Sequence, residues 1–597
     1  MILLNFIIFE ILIISLIIAS YILNRLLNKN KSVINIHIFT IPLIVISIIA
    51  SYYTSFKSIY TVLIVILIVG LILFTKELRN TKNLFTPINN KQTLILIIIS
   101  FLFFIYHNYG SYLLADHIYY AKLSKSIIQY GQEHPLTLYK TLVNENGIFL
   151  YHYYDLWLNG FLSKIFNLQS TFTLVNVIYP FFSYLTFISV FLIIYKGEKF
   201  LKNLIISICI TFGSLIVFTQ ILNINDGHNT FWGYGFPHVT SYKTLCAYPY
   251  ILLSLYFLTK KRISIFILFS IFSIFIYLTI LPSFFVSINL ILILCTLIYK
   301  NKRLRFLKYI VFFNLTFVSL FVFNSILNQE SSGLNNSKII DIVHPINFYL
   351  KNITHYFYKS SKLFYIIILL YPIGFVMSIV NSKKLIINNL FIYSSILTSI
   401  AIVVIFENVN NSIQYFTTII SPLMLFQVLT FTHLKNKTGS IITIIFIITI
   451  GILNINSLHY GKNTNYFRNN RFDSRIAKFG EIYIKENNWA YYSVTPYSNW
   501  TYNTNIVKCA LLQNENCKMG IELAPIFQKD FNKYLVKNSS YPFRNIKNQS
   551  VIYLNKELKK YNIKYIYIEN IDSVNNNFRK NLTPCIINDK KGIWKFL

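Results

Sequence analysis

"TLILIIISFLFFIYHNYGSYLLADH" (residues 93–117) opens as an uninterrupted apolar run and ends on Asp116 and His117. About 20 apolar residues, rising about 1.5 Å each, cross the roughly 30 Å of hydrocarbon in a bilayer. Runs close to that length recur along most of the first 460 residues. Composition agrees, since 55% of the 597 residues are hydrophobic and only 13% are charged, a balance that soluble chains do not reach. The expected fold class is therefore a polytopic α-helical membrane protein, and the acid at 116 falls where a span leaves the membrane.

The formal charge of +33 is concentrated in short clusters between apolar runs, where membrane topology accounts for it and a nucleic-acid partner is not required. The run 2–24 has no basic residue before it and is followed by Arg25, Lys29 and Lys31, the reverse of a cleavable signal, so it is expected to cross with its start outside. The runs 36–55 and 59–75 form a hairpin ending in "KELRNTKNLFTPINNK", whose four basic residues belong inside. The run 93–107 then travels outward. Further basic clusters at 196–203, 260–262, 300–308, 383–384 and 435–437 alternate with poorly basic connections, and about 14 transmembrane helices satisfy the pattern. Arg25, Arg79, Arg262, Arg303 and Arg305 all fall on the inner side.

Four segments then face outward: 108–170, 224–244, 328–361 and a tail from about Tyr460. The tail differs in composition. "LNKELKKYNIKYIYIEN" passes from helical to alternating spacing, and "CIINDKKGIWKFL" reads as two short strands around a turn. Residues 460–597 are expected to form an extracytoplasmic α/β domain. Cys509 and Cys517 lie close enough in sequence to form a disulfide if the tail meets an oxidising compartment, whereas Cys209, Cys246 and Cys295 sit in or beside apolar runs as small hydrophobes. No CxxC pair points to zinc.

The outer loop 108–170 carries most of the polar chemistry: Asp116, His117, Glu133, His134, His152 and Asp155. "DHIYYAKLSKSIIQYG" and "YHYYDLWLNGFLSKIF" both have the pattern of helices lying in the membrane interface. A carboxylate at 116 suits a general base, which must reach within about 3 Å of the proton it takes; Asp also favours helix starts, and the two roles are compatible. His117, Glu133, His152 and Asp155 are candidate substrate contacts, the last two spaced for one helical face beside Trp157, which suits an interface belt. In the second outer loop Asp226, His228, His238 and Lys243 accompany Gly227, Gly233 and Gly235, a segment able to approach a ligand closely or simply to cover the bundle. Lys243, or Lys338, Lys351 or Lys359 in the third loop, is a candidate cation for a bound anion. Glu10 lies within the first span, where an ionisable group is costly.

The span, then "ADHIYYAKLSKSIIQYGQEHP", then "YHYYDLWLNGFLSKIF", with many further spans and an outer tail, resembles the GT-C superfamily of membrane glycosyltransferases, which includes protein mannosyltransferases and aminoarabinose transferases. The resemblance implies a GT-C-like bundle and a polyprenyl-phosphate sugar donor used at the outer face of the cytoplasmic (inner) membrane. It implies a catalytic acid at the start of the first large outer loop, a position Asp116 matches. The acceptor would be a lipid, a glycan or a protein. On this reading residues 1–92 are a three-span extension, and 93–459 the transmembrane domain. His117 stands where many relatives have a second acid, so a divalent metal ion is left open. A polysaccharide polymerase or ligase, and a lipid-linked sugar transporter, are the alternatives; the missing internal repeat speaks against transport.

Overall fold

In a computed structural model the described residues are 2–28, 34–78, 85–110, 115–133, 150–168, 170–223, 245–327 and 386–405, with parts of the tail (488–492, 521–522, 563–568, 570–574, 576–597) and a few single positions. Within a bilayer only helices and closed barrels satisfy every backbone donor and acceptor, and the apolar runs among the described residues are helical. In chain order they are α1 (Ile2–Asn28), α2 (His37–Tyr53), α3 (Ile59–Leu78), α4 (Asn90–Gly110), α5 (Ala115–Tyr130) and α6 (Tyr154–Ile165). Then come α7 (Ser170–Thr173), a π-helical turn (Leu174–Ile178), α8 (Tyr179–Ile194) and α9 (Phe200–Asn223). The last of the set are α10 (Tyr248–Thr259), α11 (Ile263–Ile276), α12 (Leu281–Ile298), α13 (Arg303–Leu327) and α14 (Ile386–Ile405).

Among the described residues four stretches are long and apolar enough to cross a membrane: Leu3–Leu26, Leu174–Ile194, Leu278–Ile298 and Lys300–Leu327. Six further apolar helices are shorter, and the set suits a helical membrane protein. On α1 one stripe, Leu3, Ile7, Ile11, Ile14, Ile18 and Ile22, is exposed, while Phe9, Ile13, Leu16 and Ile17 are buried. That is the helical period of a chain with one face on its neighbours and one on an apolar surround. By contrast α8 is buried on every side and forms the centre of the bundle. It packs on α4, α9 and α10, and α1 reaches it through the π-helical turn. α3 lies against α11 and α13, and α2 against α6, so the three N-terminal helices are woven into the bundle.

Hydrogen bonds tie together helix ends that the basic loops group on one side. Lys308 Nζ donates to Leu73 O at 2.8 Å, Thr86 Oγ1 to Tyr195 O at 3.3 Å and Asn388 Nδ2 to Thr259 Oγ1 at 2.8 Å. At the other end the tight α2–α3 turn, with Ser55 (φ 52°) and Phe56 (φ 66°) both left-handed, meets the connection between α5 and α6.

In the tail the described strands form one five-stranded sheet of order β2-β1-β3-β5-β4, with β1 Asn488–Tyr492, β2 Ile521–Glu522, β3 Ile563–Ile568, β4 Leu582–Asn588 and β5 Lys591–Phe596. β1 runs parallel to β2 and β3, while β3–β5 and β4–β5 are antiparallel. The two strands expected around "DKKG" are β4 and β5, and Asp589 makes the turn at φ 57°. The alternating "IKYIYI" is β3. The boundary near Tyr460 and the Cys509–Cys517 pairing lie outside the described residues.

Candidate functional site

The two helices expected after the exit of α4 are α5 and α6, and they pack on one another. Tyr120, Leu123 and Ile127 of α5 face inward and are buried. Gly160 makes the close approach possible: a Cβ there would lie 2.4 Å from Ser124 O. Asn159 Nδ2 donates to Ser124 Oγ at 2.7 Å, and Ser170 Oγ donates to Ala121 O at 3.0 Å. α6 is enclosed rather than laid in an interface, with Tyr154 to Gly160 all buried. Trp157, expected in an aromatic belt, has no exposed surface.

The best-defined polar centre is the Glu133 carboxylate. Ser58 Oγ donates to its Oε1 at 2.6 Å, Trp157 Nε1 to the same oxygen at 2.7 Å, and the Ile59 amide to Oε2 at 2.8 Å. Its own carbonyl accepts from Tyr153 Oη at 3.0 Å. Ser58 Oγ in turn accepts from the Tyr60 amide at 3.1 Å, which is the geometry of a helix cap at the start of α3. Burial pushes the Glu133 carboxyl up to about 7, against the opposing pull of Ser58, Ile59 and Trp157, so the group changes charge near neutrality. It is fully buried, so a substrate would reach it only if the surrounding side chains moved.

His152 precedes α6, whose first residue is Tyr154, so it does not share a helical face with Asp155. Its ring lies among tyrosines, 3.8 Å from the centroid of Tyr151, 4.9 Å from Tyr277 and 5.3 Å from Tyr120. Tyr120 and Tyr151 also share a hydrogen bond at 2.6 Å. Asp155 is buried in the first turn of α6, where a carboxylate meets the positive end of the helix dipole. Next to it Tyr154 and Tyr250 share a hydrogen bond at 2.9 Å, and Tyr250 donates onward to Phe39 O at 2.9 Å. Sequence reasoning missed Ser58, Tyr153, Tyr120 and Tyr277. Ser58, directly before the run that starts at Ile59, was a capping signal, but the others carry no local mark.

Asp116 and His117 are the second and third residues of α5; their side chains lie outside the described residues. So do Asp226, His228, His238 and Lys243, and the third-loop lysines Lys338, Lys351 and Lys359. Among the described residues no three His, Cys, Asp or Glu side chains come together as a metal site. Glu10, in α1, accepts from Ser100 Oγ of α4 at 2.8 Å. Cys246 and Cys295 are buried and packed as small hydrophobes. In comparisons with known proteins, no family model and no curated protein matches the chain.

Proposed function

We propose that the protein is an inverting membrane glycosyltransferase of GT-C type, moving a sugar from a polyprenyl-phosphate donor to a lipid, glycan or protein acceptor at the outer face of the cytoplasmic membrane. About fourteen spans and an extracytoplasmic α/β domain complete this reading. The observation that carries it is the order of elements at one end of the bundle. α4 runs almost directly into α5, whose first turn bears Asp116, and α5 is held in place along α6.

In the reaction the acceptor oxygen attacks the anomeric carbon of the sugar. The bond from that carbon to the phosphate oxygen breaks, and the polyprenyl phosphate leaves with the electron pair. Asp116 takes the acceptor proton. Lys243, or a lysine of the third outer loop, meets the charge growing on the phosphate. Should a divalent metal ion be bound, it would share that charge.

Transfer from a labelled polyprenyl-phosphate sugar tests the reading. Asp116→Asn removes the base and is expected to lower turnover by about 10²-fold or more, with the protein still folded. Undiminished transfer by the folded variant would refute the assignment.

A further inference from the structure

We propose that Glu133 is a positioning residue, which caps α3 from a neighbouring segment and thereby locks the neck of the α5–α6 connection to the α2–α3 turn. Three independent contacts meet there. The carboxylate receives the Ile59 amide and the Ser58 hydroxyl, so it sits at the positive end of a 20-residue helix, where anions are stabilised. Tyr153 Oη, on the far strand of the connection, donates to Glu133 O and closes the neck between residues 133 and 153. Trp157 of α6 donates to the same carboxylate while its ring stacks on Tyr53, the last residue of α2, at 6.3 Å between centroids.

The chain leading into Glu133 is fitted to that turn as well. Gly131 has φ +63°, and a Cβ on it would lie 2.2 Å from Tyr53 O. The backbone of the α5 exit therefore rests directly on the end of α2. One side chain and one glycine join α2, α3, α5 and α6, although Glu133 and Ser58 are 75 residues apart. Placement of α5, and with it of Asp116, follows from where the N-terminal hairpin stands. What that placement serves rests on the glycosyl-transfer reading; the lock itself does not.

Hydrogen exchange on the full chain in nanodiscs, with no substrate present, tests the lock apart from any activity. In Glu133→Ala, exchange is expected to quicken by about tenfold or more at residues 59–61 and 150–157, with the α12 and α13 amides unchanged. Glu133→Gln, whose amide oxygen still accepts from Ser58 and Trp157, is expected to restore most of the protection at 150–157, but not at Ile59, whose amide would then face the Gln NH2. The ¹⁹F resonance of 5-fluorotryptophan at position 157, identified by its loss in Trp157→Phe, should move in Glu133→Ala and return towards the original in Glu133→Gln. Unchanged exchange and an unmoved resonance in Glu133→Ala would overturn the proposal, as would a uniform rise across the whole bundle. If Glu133→Ala does not fold, Ser58→Ala is the second variant: it removes a donor from the other side of the contact and should raise exchange at 150–157. No change there would equally overturn it.

Discussion

Glu133 stands between two opposed effects, three donors that favour its charged form and an enclosure that favours the neutral one. Enclosure wins, since the carboxyl is raised from its ordinary 4.5 to about 7. The folded state then holds a proton that the unfolded state has lost over the range from about 4.5 to about 7. Stability should be greatest below that range, fall as pH rises through it, and level off above it, with a full size of roughly 3 kcal/mol. Thermal unfolding in detergent at pH 5 and pH 8 measures this: Glu133→Gln is expected to abolish the difference, and equal slopes in both proteins would exclude the assignment. At Gly131 the cost is steric. With φ +63° and backbone 2.2 Å from the position of a Cβ, Gly131→Ala should cost about 2 kcal/mol or more. At Gly70 a Cβ would be nearest to the end of a flexible side chain, Leu268, at 2.9 Å, so Gly70→Ala should lower the unfolding temperature less.

Between elements, the seam of α5 and α6 depends on Gly160. A Cβ there would press on Ser124 O at 2.4 Å and part the helices that share the Asn159–Ser124 hydrogen bond. Gly160→Ala is expected to lower both the unfolding temperature and sugar transfer, whereas Lys164→Ala, which removes a cation stacked 4.7 Å above the Tyr53 ring at the exposed end of α6, should change either only slightly. The run 2–24 is α1, the hairpin 36–55 and 59–75 is α2 and α3, and the two stretches after residue 116 are α5 and α6, because apolar period is a property of adjacent residues. The placement of His152 before α6, the enclosure of Trp157 and the pairing of Glu133 with Ser58 were not legible. Each depends on what another element brings, and spacing within one segment carries no trace of it. The break between α11 and α12 at Leu278–Ile280 falls where the basic clusters 260–262 and 300–308 call for a connection between two helices, with Pro282 as its local mark.

For the whole molecule, basic residues and packing describe the same two ends. Lys308 with Leu73, and Thr86 with Tyr195, gather at one; Ser58, Glu133 and Trp157 gather at the other. On the proposed reading, the positive-inside tendency puts the second end, with Asp116 beyond α4, on the extracytoplasmic side. The most direct test is the side from which residue 116 can be reached. In a cysteine-depleted chain carrying Asp116→Cys, a membrane-impermeant maleimide applied to intact cells should label the thiol, while Lys300→Cys at the opposite end labels only after permeabilisation. Labelling of position 116 only after permeabilisation would contradict sugar transfer at the outer face by this carboxylate.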